Sequence, residues 1–86
     1  MKRPSGNKSP RDIWESILSE MDEKMQFGLL EQARNVIDIQ IDGEELVLLV
    51  ESDAAAAFFE IPGNQTRLLI MARPIVQLEK IVIKRA

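Results

Sequence analysis

The chain has 86 residues, which suffices for one domain that buries about 60% of its unfolded surface. It contains no cysteine, histidine or tyrosine. This excludes disulfides, thiolate or imidazole metal ligands, and the commonest general base. Residues 1–11 carry a charge of +4, whereas residues 12–86 carry seven basic and fourteen acidic side chains. So acidic a body disfavours sequence-independent binding to phosphate backbones, which requires clustered cations.

The amino-terminal residues differ in composition from the rest of the chain. The segment MKRPSGNKS is basic and rich in small and polar residues, so we expect residues 1–9 to form a flexible tail and residues 10–86 a single domain. No hydrophobic segment follows the basic residues, as it would in a signal peptide. No apolar run reaches the roughly 18 residues of a membrane span, so the expected location is the cytoplasm, with no membrane partner.

The first predicted element is an amphipathic helix. Ser9 is a suitable N-cap, Pro10 suits the first helical position and Asp12 can complete an acidic capping box. Apolar residues then recur at helical spacing at Ile13, Trp14, Ile17, Leu18, Met21 and Met25.

A second, shorter helix is predicted after Phe27-Gly28, which we expect to end or kink the first one. It is indicated by Leu29, Leu30 and Ala33.

A β-hairpin follows at VIDIQIDGEELVLLVE, residues 36–51. Its first half alternates apolar and polar residues, which predicts a half-buried strand. Asp42-Gly43 supplies the turn, since glycine tolerates a positive φ. The second half is a nearly continuous apolar run, which predicts a strand that is central or covered on both faces.

Two more helices and a last strand complete the prediction. Ser52 can cap a helix over residues 53–60, and Ala54 to Ala57 would let it pack closely on the sheet. Pro62-Gly63 breaks that helix, and Asn64 is predicted to cap the next, which runs to about Arg73. Residues 79–85 end the chain as an edge strand, where lysines discourage unwanted pairing. The predicted fold class is therefore α+β, with helices packed on a three-stranded sheet in the order α-α-β-β-α-α-β.

This layout resembles a small KH-like domain of bacterial replication proteins, namely the domain that follows the collar in the gamma/tau subunit of DNA polymerase III. The matching segments are IWESIL at 13–18, LLEQAR at 29–34 and IQIDGEELVL at 39–48. The DnaA amino-terminal domain is similar in order and also carries an early tryptophan, and DciA-type helicase loaders are more distantly similar. The resemblance covers residues 11–86. No phosphate-binding G-x-x-x-x-G-K-[ST] motif occurs, so the ATPase part of a clamp loader is absent.

The resemblance implies a non-enzymatic module that docks onto a replisome protein, such as a helicase or polymerase subunit, or onto itself. Trp14 corresponds to the early tryptophan of the DnaA-like domains, whose surface mediates self-association. From the residues alone, Trp14 is either part of the core or an interface anchor. Successive helical residues point about 100° apart, so one of Phe58 and Phe59 should stay partly exposed, for docking or for loop packing. The predicted partner-binding residues are Trp14, Glu15, Leu18, Phe58, Phe59 and Ile61.

Two further interpretations stay open. In KH domains a GXXG loop between two helices clamps the nucleic-acid backbone, and Gly63, Asn64, Gln65 and Arg67 lie at the matching place, although position 66 is threonine. Alternatively, the chain is a self-associating structural domain that pairs through an edge strand. Its acidic clusters lack EF-hand spacing and so small a domain offers little room for a cleft, so we expect no catalytic residue, no metal and no cofactor.

Overall fold

The computed structural model describes residues 9–86. Its elements are α1 (Pro10–Glu23), α2 (Phe27–Ala33), β1 (Val36–Asp42), β2 (Glu45–Val50), α3 (Asp53–Glu60), α4 (Pro62–Ala72) and β3 (Lys80–Arg85). The predicted α+β class and element order are confirmed. The prediction of a flexible tail concerns residues that lie, apart from Ser9, outside the described part of the chain.

Side-chain caps define where two of the helices begin. Ser9 Oγ accepts a hydrogen bond of 3.1 Å from the Asp12 N–H, and Pro10 occupies the first turn of α1. Ser52 Oγ likewise accepts from the Ala55 N–H at 3.1 Å. Each bond satisfies an N–H that has no partner within the helix, so both predicted caps are confirmed.

The hairpin between β1 and β2 has a tight turn. Asp42 pairs with Glu45, so the loop consists of Gly43 and Glu44 and lies one residue later than the predicted Asp42-Gly43. Gly43 has a φ of +63°, whereas Glu44 is not among the residues with positive φ. A positive φ at the first central position of a two-residue loop favours glycine there, because glycine has no Cβ to clash.

Strand β2 lies at the centre of the sheet. It pairs antiparallel with β1 and parallel with β3, in the order β1-β2-β3. A parallel neighbour requires a crossover, because the chain must return to the same end of the sheet. Helices α3 and α4 form that crossover. The strand order confirms the central position predicted for β2 and the edge position predicted for β3.

All four helices belong to one core on a single face of the sheet. Along β2, Leu46, Leu48 and Val50 are buried in this core, whereas Val47 and Leu49 are half-buried and lie outside it. Helix α3 contributes the buried Ala55 and Ala56, whose small side chains permit close packing on the sheet. The buried residues are Trp14, Ile17, Met21, Leu29, Leu30, Ala33, Val36, Ile39, Leu46, Leu48, Val50, Ala55, Ala56, Phe59, Leu68, Ala72 and Ile81.

Two predicted helix boundaries are wrong. Helix α1 ends at Glu23, and Phe27-Gly28 begins α2 instead of ending α1. Helix α4 begins at Pro62 after Ile61, and Asn64 lies within its first turn, so Asn64 is not its cap. Both errors have one physical cause: these boundaries are set by backbone hydrogen bonds and by proline rather than by a capping side chain.

No helix among residues 9–86 is long and apolar enough to cross a lipid bilayer.

Adjacent phenylalanines provide a test of the core. Phe59 is completely buried, whereas Phe58 is half-buried. The two rings meet edge to face, with their centroids 5.1 Å apart. We expect Phe59→Ala to lower the free energy of unfolding by about 3–5 kcal/mol and Phe58→Ala to cost less than half of that. Urea unfolding followed by Trp14 fluorescence measures both. Equal losses would contradict the assignment of Phe59 as the inward-facing ring.

Candidate docking surfaces

The predicted partner-binding residues of α1 occupy different environments. Trp14 is 3% exposed and belongs to the core, Leu18 is half-buried and Glu15 is exposed. Of the two interpretations of Trp14, the structure supports the core, since a partner cannot reach a buried indole without opening α1. Of the three predicted residues on α1, only Glu15 and part of Leu18 are accessible.

The predicted residues at the end of α3 are also divided between core and surface. Phe59 is completely buried, Phe58 is half-buried and Ile61 is 52% exposed. The prediction that one phenylalanine stays partly exposed is thus confirmed for Phe58. The main neighbours of α1 are α2, α4 and β1, whereas α3 packs mainly on α2, α4, β2 and β3. The two helices therefore share α2 and α4 as neighbours but pack on different strands.

The corner between α3 and α4 uses two of the residues assigned to nucleic-acid binding. Asn64 Nδ2 donates to the Phe58 carbonyl oxygen at 2.9 Å, and Gln65 Nε2 donates to the Phe59 carbonyl oxygen at 2.7 Å. These carbonyls lie in the last turn of α3, where few backbone partners remain; the Phe58 carbonyl also accepts a longer bond of 3.3 Å from the Ile61 N–H. Both amide side chains therefore hold the corner together and are engaged within the chain.

The remaining two residues of that set are exposed. Gly63 and Arg67 both face solvent. A Cβ added at Gly63 would meet nothing within 4 Å, and its φ is not positive. Neither the backbone nor the packing of this corner therefore requires glycine.

Larger exposed apolar side chains lie elsewhere. The most exposed pair, Met25 at 75% and Phe27 at 57%, flanks Gln26 between α1 and α2. The other large apolar side chains with high exposure are Ile61, Ile70 and Ile37. We call Met25 and Phe27 the apolar tip; neither was predicted to bind a partner.

Met25 has an unusual backbone conformation. Its φ is +58°, and among residues 9–86 it is the only non-glycine residue with a positive φ. The Met25 N–H donates to the Asp22 carbonyl at 3.1 Å, and the Gln26 N–H donates to the Met21 carbonyl at 2.8 Å. These two bonds form a Schellman motif, in which the left-handed position is usually glycine. Because this position carries methionine instead of glycine, its spacing of four from Met21 predicted that Met25 continues the buried apolar stripe of α1. That prediction is wrong, since Met25 is 75% exposed.

The helix beside the apolar tip carries acidic side chains. Asp22 and Glu23 are exposed and form no ion pair among the described residues. Lys24 Nζ lies 2.7 Å from Glu20 Oε2, and this hydrogen bond raises the pKa of the Lys24 amine above its ordinary value. The tip is therefore bordered by exposed acidic side chains that form no direct ion pair among the described residues.

A second accessible surface is the face of the sheet that no helix covers. Val47, Leu49 and Val82 are half-buried there, outside the core and its packed surroundings. A depression of about 250 Å³ is lined by Asp38, Ile39, Gln40, Val47, Leu49 and Lys84. This face is an apolar strip with charged side chains on both sides.

The described residues form surfaces rather than an enclosed site. None of their polar or charged side chains is buried, and they contain no group of three or more His, Cys, Asp or Glu residues that could hold a metal ion. The arrangement provides exposed apolar contacts and surface charge, which are the components of a docking interface.

Comparisons of the chain with protein-family models, with curated proteins and with solved structures found no match.

The corner hydrogen bonds can be tested by truncation. We expect Asn64→Ala to lower the free energy of unfolding by about 1 kcal/mol, because the Phe58 carbonyl loses the shorter of its two hydrogen bonds and keeps only the one from the Ile61 N–H. Thr66→Ala serves as the control, since Thr66 is exposed and its hydroxyl only donates back to the Pro62 carbonyl, and we expect it to cost less than about 0.5 kcal/mol. Urea denaturation measures both. If Asn64→Ala left the free energy of unfolding unchanged, the Asn64 amide would not be needed to hold the corner and would be available to a ligand.

Met25, the residue of the apolar tip with a positive φ, provides a test in which stability should rise instead of fall. Met25→Gly should raise the free energy of unfolding by about 0.5–1 kcal/mol, because glycine adopts a positive φ without a Cβ clash and little packing is lost. Met25→Ala removes the same exposed side chain but retains a Cβ, so it should give no such gain. Thermal unfolding distinguishes them, and a loss of stability with glycine would contradict the assigned strain.

Proposed function

We propose that this chain is a non-enzymatic protein-docking module that binds its partner through the apolar tip. The observation that carries the proposal is the presentation of Met25 and Phe27, 75% and 57% exposed, by a turn in which Met25 has a positive φ. A strained backbone position is retained when its surroundings hold it or when it serves binding. Here the Met25 side chain gains little burial within the chain itself.

The chemistry of the tip defines the partner. Methionine adapts to irregular apolar surfaces, and aromatic residues are enriched in interfaces. Asp22 and Glu23 border the tip, so a complementary partner presents an apolar pocket rimmed by lysine or arginine. We therefore propose a protein partner with a basic rim around an apolar groove.

The resemblance to replication proteins suggests where that partner acts. Domains of this layout in the gamma/tau subunit and in DnaA dock onto replisome proteins or onto themselves. On that basis we propose a replisome component, such as the replicative helicase or a polymerase III subunit, as the partner. The site proposed here is the apolar tip, whereas the early tryptophan of that comparison is buried in this chain.

Binding of single-stranded nucleic acid is the less favoured function. Asn64 and Gln65 hold the α3–α4 corner, which leaves Arg67 as the only exposed cation of the predicted set. The net charge of residues 12–86 is negative, and such a body repels a phosphate backbone. Nucleic acid is therefore retained as an arm of the test.

The decisive experiment is an amide-shift titration of the isotope-labelled chain. Purified replicative helicase, polymerase III subunits and single-stranded DNA are added separately at physiological salt. We expect shifts around Met25 and Phe27 with one of the proteins. The double variant Met25→Ala, Phe27→Ala should weaken that binding tenfold or more, since truncated interface anchors cost about 1–2 kcal/mol or more.

Ile70→Ala is the matched control, because Ile70 is 45% exposed on α4 and lies outside the tip. It should leave the affinity unchanged. Equal weakening by both variants would overturn the apolar tip as the site. No binding to any replisome protein at tens of micromolar would remove the replication assignment. Shifts centred on Gly63 and Arg67 with DNA would replace docking by nucleic-acid binding.

A further inference from the structure

The uncovered face of the sheet has a regular charge pattern. Across the three strands, Asp38 lies beside Leu49 and Leu49 beside Lys84. One row further along, Gln40 lies beside Val47, which lies beside Val82. The outermost row contains Asp42, Glu45 and Lys80. The β1 side of this face is thus acidic or polar, the centre is apolar apart from Glu45 in the outermost row, and the β3 side is basic apart from Val82.

We propose that this face binds the same face of a second copy of the chain, forming a two-fold symmetric dimer. The symmetry axis lies between the two sheets and runs parallel to the strands. Rotation about such an axis places β1 of one copy opposite β3 of the other and β2 opposite β2. It preserves position along the strands, so each row of one copy faces the same row of the other.

The charged side chains of the two outer strands are complementary across the resulting interface. Asp38 faces Lys84 of the second copy, and Leu49 faces its own counterpart. Asp42 faces Lys80 of the second copy at the outer end of the sheet. Glu45 is the β2 member of that outer row and faces its own counterpart, which is a like-charge contact at the end of the sheet. Lys80 Nζ of the same copy lies 3.9 Å from the Glu45 Oε2 and partly neutralises that charge.

Asp38 and Lys84 of the same copy do not form an ion pair with each other. Asp38 and Lys84 lie on the two outer strands, about 10 Å apart across two strand spacings, and both side chains leave the sheet in the same direction. No ion pair joins them, and Lys84 forms none among the described residues. In the dimer their side chains point toward each other across the roughly 10 Å gap between packed sheets, so they can pair.

Pairing through the sheet edges is less favourable. Strand β1 has a register shift between Val36 and Asp38, and such a bulge disturbs an edge. Strand β3 places Lys80, Lys84 and Arg85 along the other edge, which discourages strand addition. The face, rather than an edge, is therefore the self-complementary surface.

The dimer should be weak. Three strands spaced about 4.8 Å apart, each of about six residues at roughly 3.3 Å, give a footprint of about 14 × 20 Å. This is well below the roughly 800 Å² per partner of standard stable interfaces. We therefore expect a dissociation constant of about 10⁻⁵–10⁻³ M, which corresponds to about 4–7 kcal/mol of binding free energy. Because the helices pack on the other face of the sheet, both apolar tips stay accessible in the dimer.

The test uses charge reversal on opposite sides of the face. In sedimentation equilibrium from 5 μM to 1 mM, the wild-type chain should shift from monomer to dimer. Asp38→Lys alone places lysine opposite lysine, and Lys84→Glu alone places a carboxylate opposite a carboxylate, so each should weaken homodimers tenfold or more. In an equimolar mixture both contacts become attractive, and a heterodimer should form with a dissociation constant within about threefold of the wild-type value.

Matched controls are charge reversals away from this face, namely Glu31→Lys on α2 and Arg67→Glu on α4, both at exposed positions. They should leave dimerisation unchanged. A wild-type chain that stays monomeric at 1 mM would overturn the proposal, as would a dimer equally weakened by the controls or a mixture that fails to associate although both variants fold by circular dichroism.

A second measurement does not depend on the variants. Diluting the labelled wild-type chain should move the amide signals of Val47, Leu49 and Val82. Concentration-dependent shifts confined to the apolar tip, or to the outer edges of β1 and β3, would assign self-association to another surface and overturn the proposed one. If the amide signals of this face change when residues 1–8 are removed, but not with concentration, the face binds the chain's own amino terminus. That result would also overturn the proposed dimer.

Discussion

The parallel pairing of β2 with β3 is the constraint on which the rest of the structure depends. Two parallel neighbours cannot be joined by a tight turn, so the chain must cross the sheet, and α3 with α4 makes that crossing. Helix α1 packs on β1, α2 and α4, which places all four helices in one layer. The core is consequently one-sided. One face of β2 is sealed by Leu46, Leu48 and Val50, and the other remains accessible.

This one-sided core determines which apolar residues remain available for binding. A domain of this size has few large side chains with which to fill its core, and Trp14 and Phe59 are both buried there. Among residues 9–86, accessible apolar surface includes the apolar tip between α1 and α2 and the strip along the open sheet face, besides the single exposed side chains of Ile37, Ile61 and Ile70. Because the tip belongs to the helical layer, the two surfaces can be occupied independently, and a dimer through the sheet would display two tips. Such a dimer would bind a multimeric partner with avidity.

Much of the architecture could be predicted because its signals are local. Ser9 and Ser52 can cap helices wherever helices follow, a turn at Gly43 follows from the conformational freedom of glycine, and the apolar run of β2 matches a central strand. The end of α1 could not be predicted, since its Schellman motif carries methionine where glycine would have marked it. The role of Asn64 was hidden for a related reason. Its side chain bonds to a carbonyl six residues earlier, across a corner that exists only once both helices have formed.

The amino-acid sequence by itself determined the element order, the α+β class, the acidic body and the composition that excludes cysteine and histidine chemistry. These follow from periodicity, turn residues and charge, which are properties of neighbouring positions. Only the tertiary structure decided that Trp14 lies inside, that Met25 and Phe27 lie outside, and that Asp38, Leu49 and Lys84 share a row. Burial and cross-strand register depend on how distant segments pack. A stripe of apolar residues therefore predicts a buried face without showing which of its members the core has room to accept.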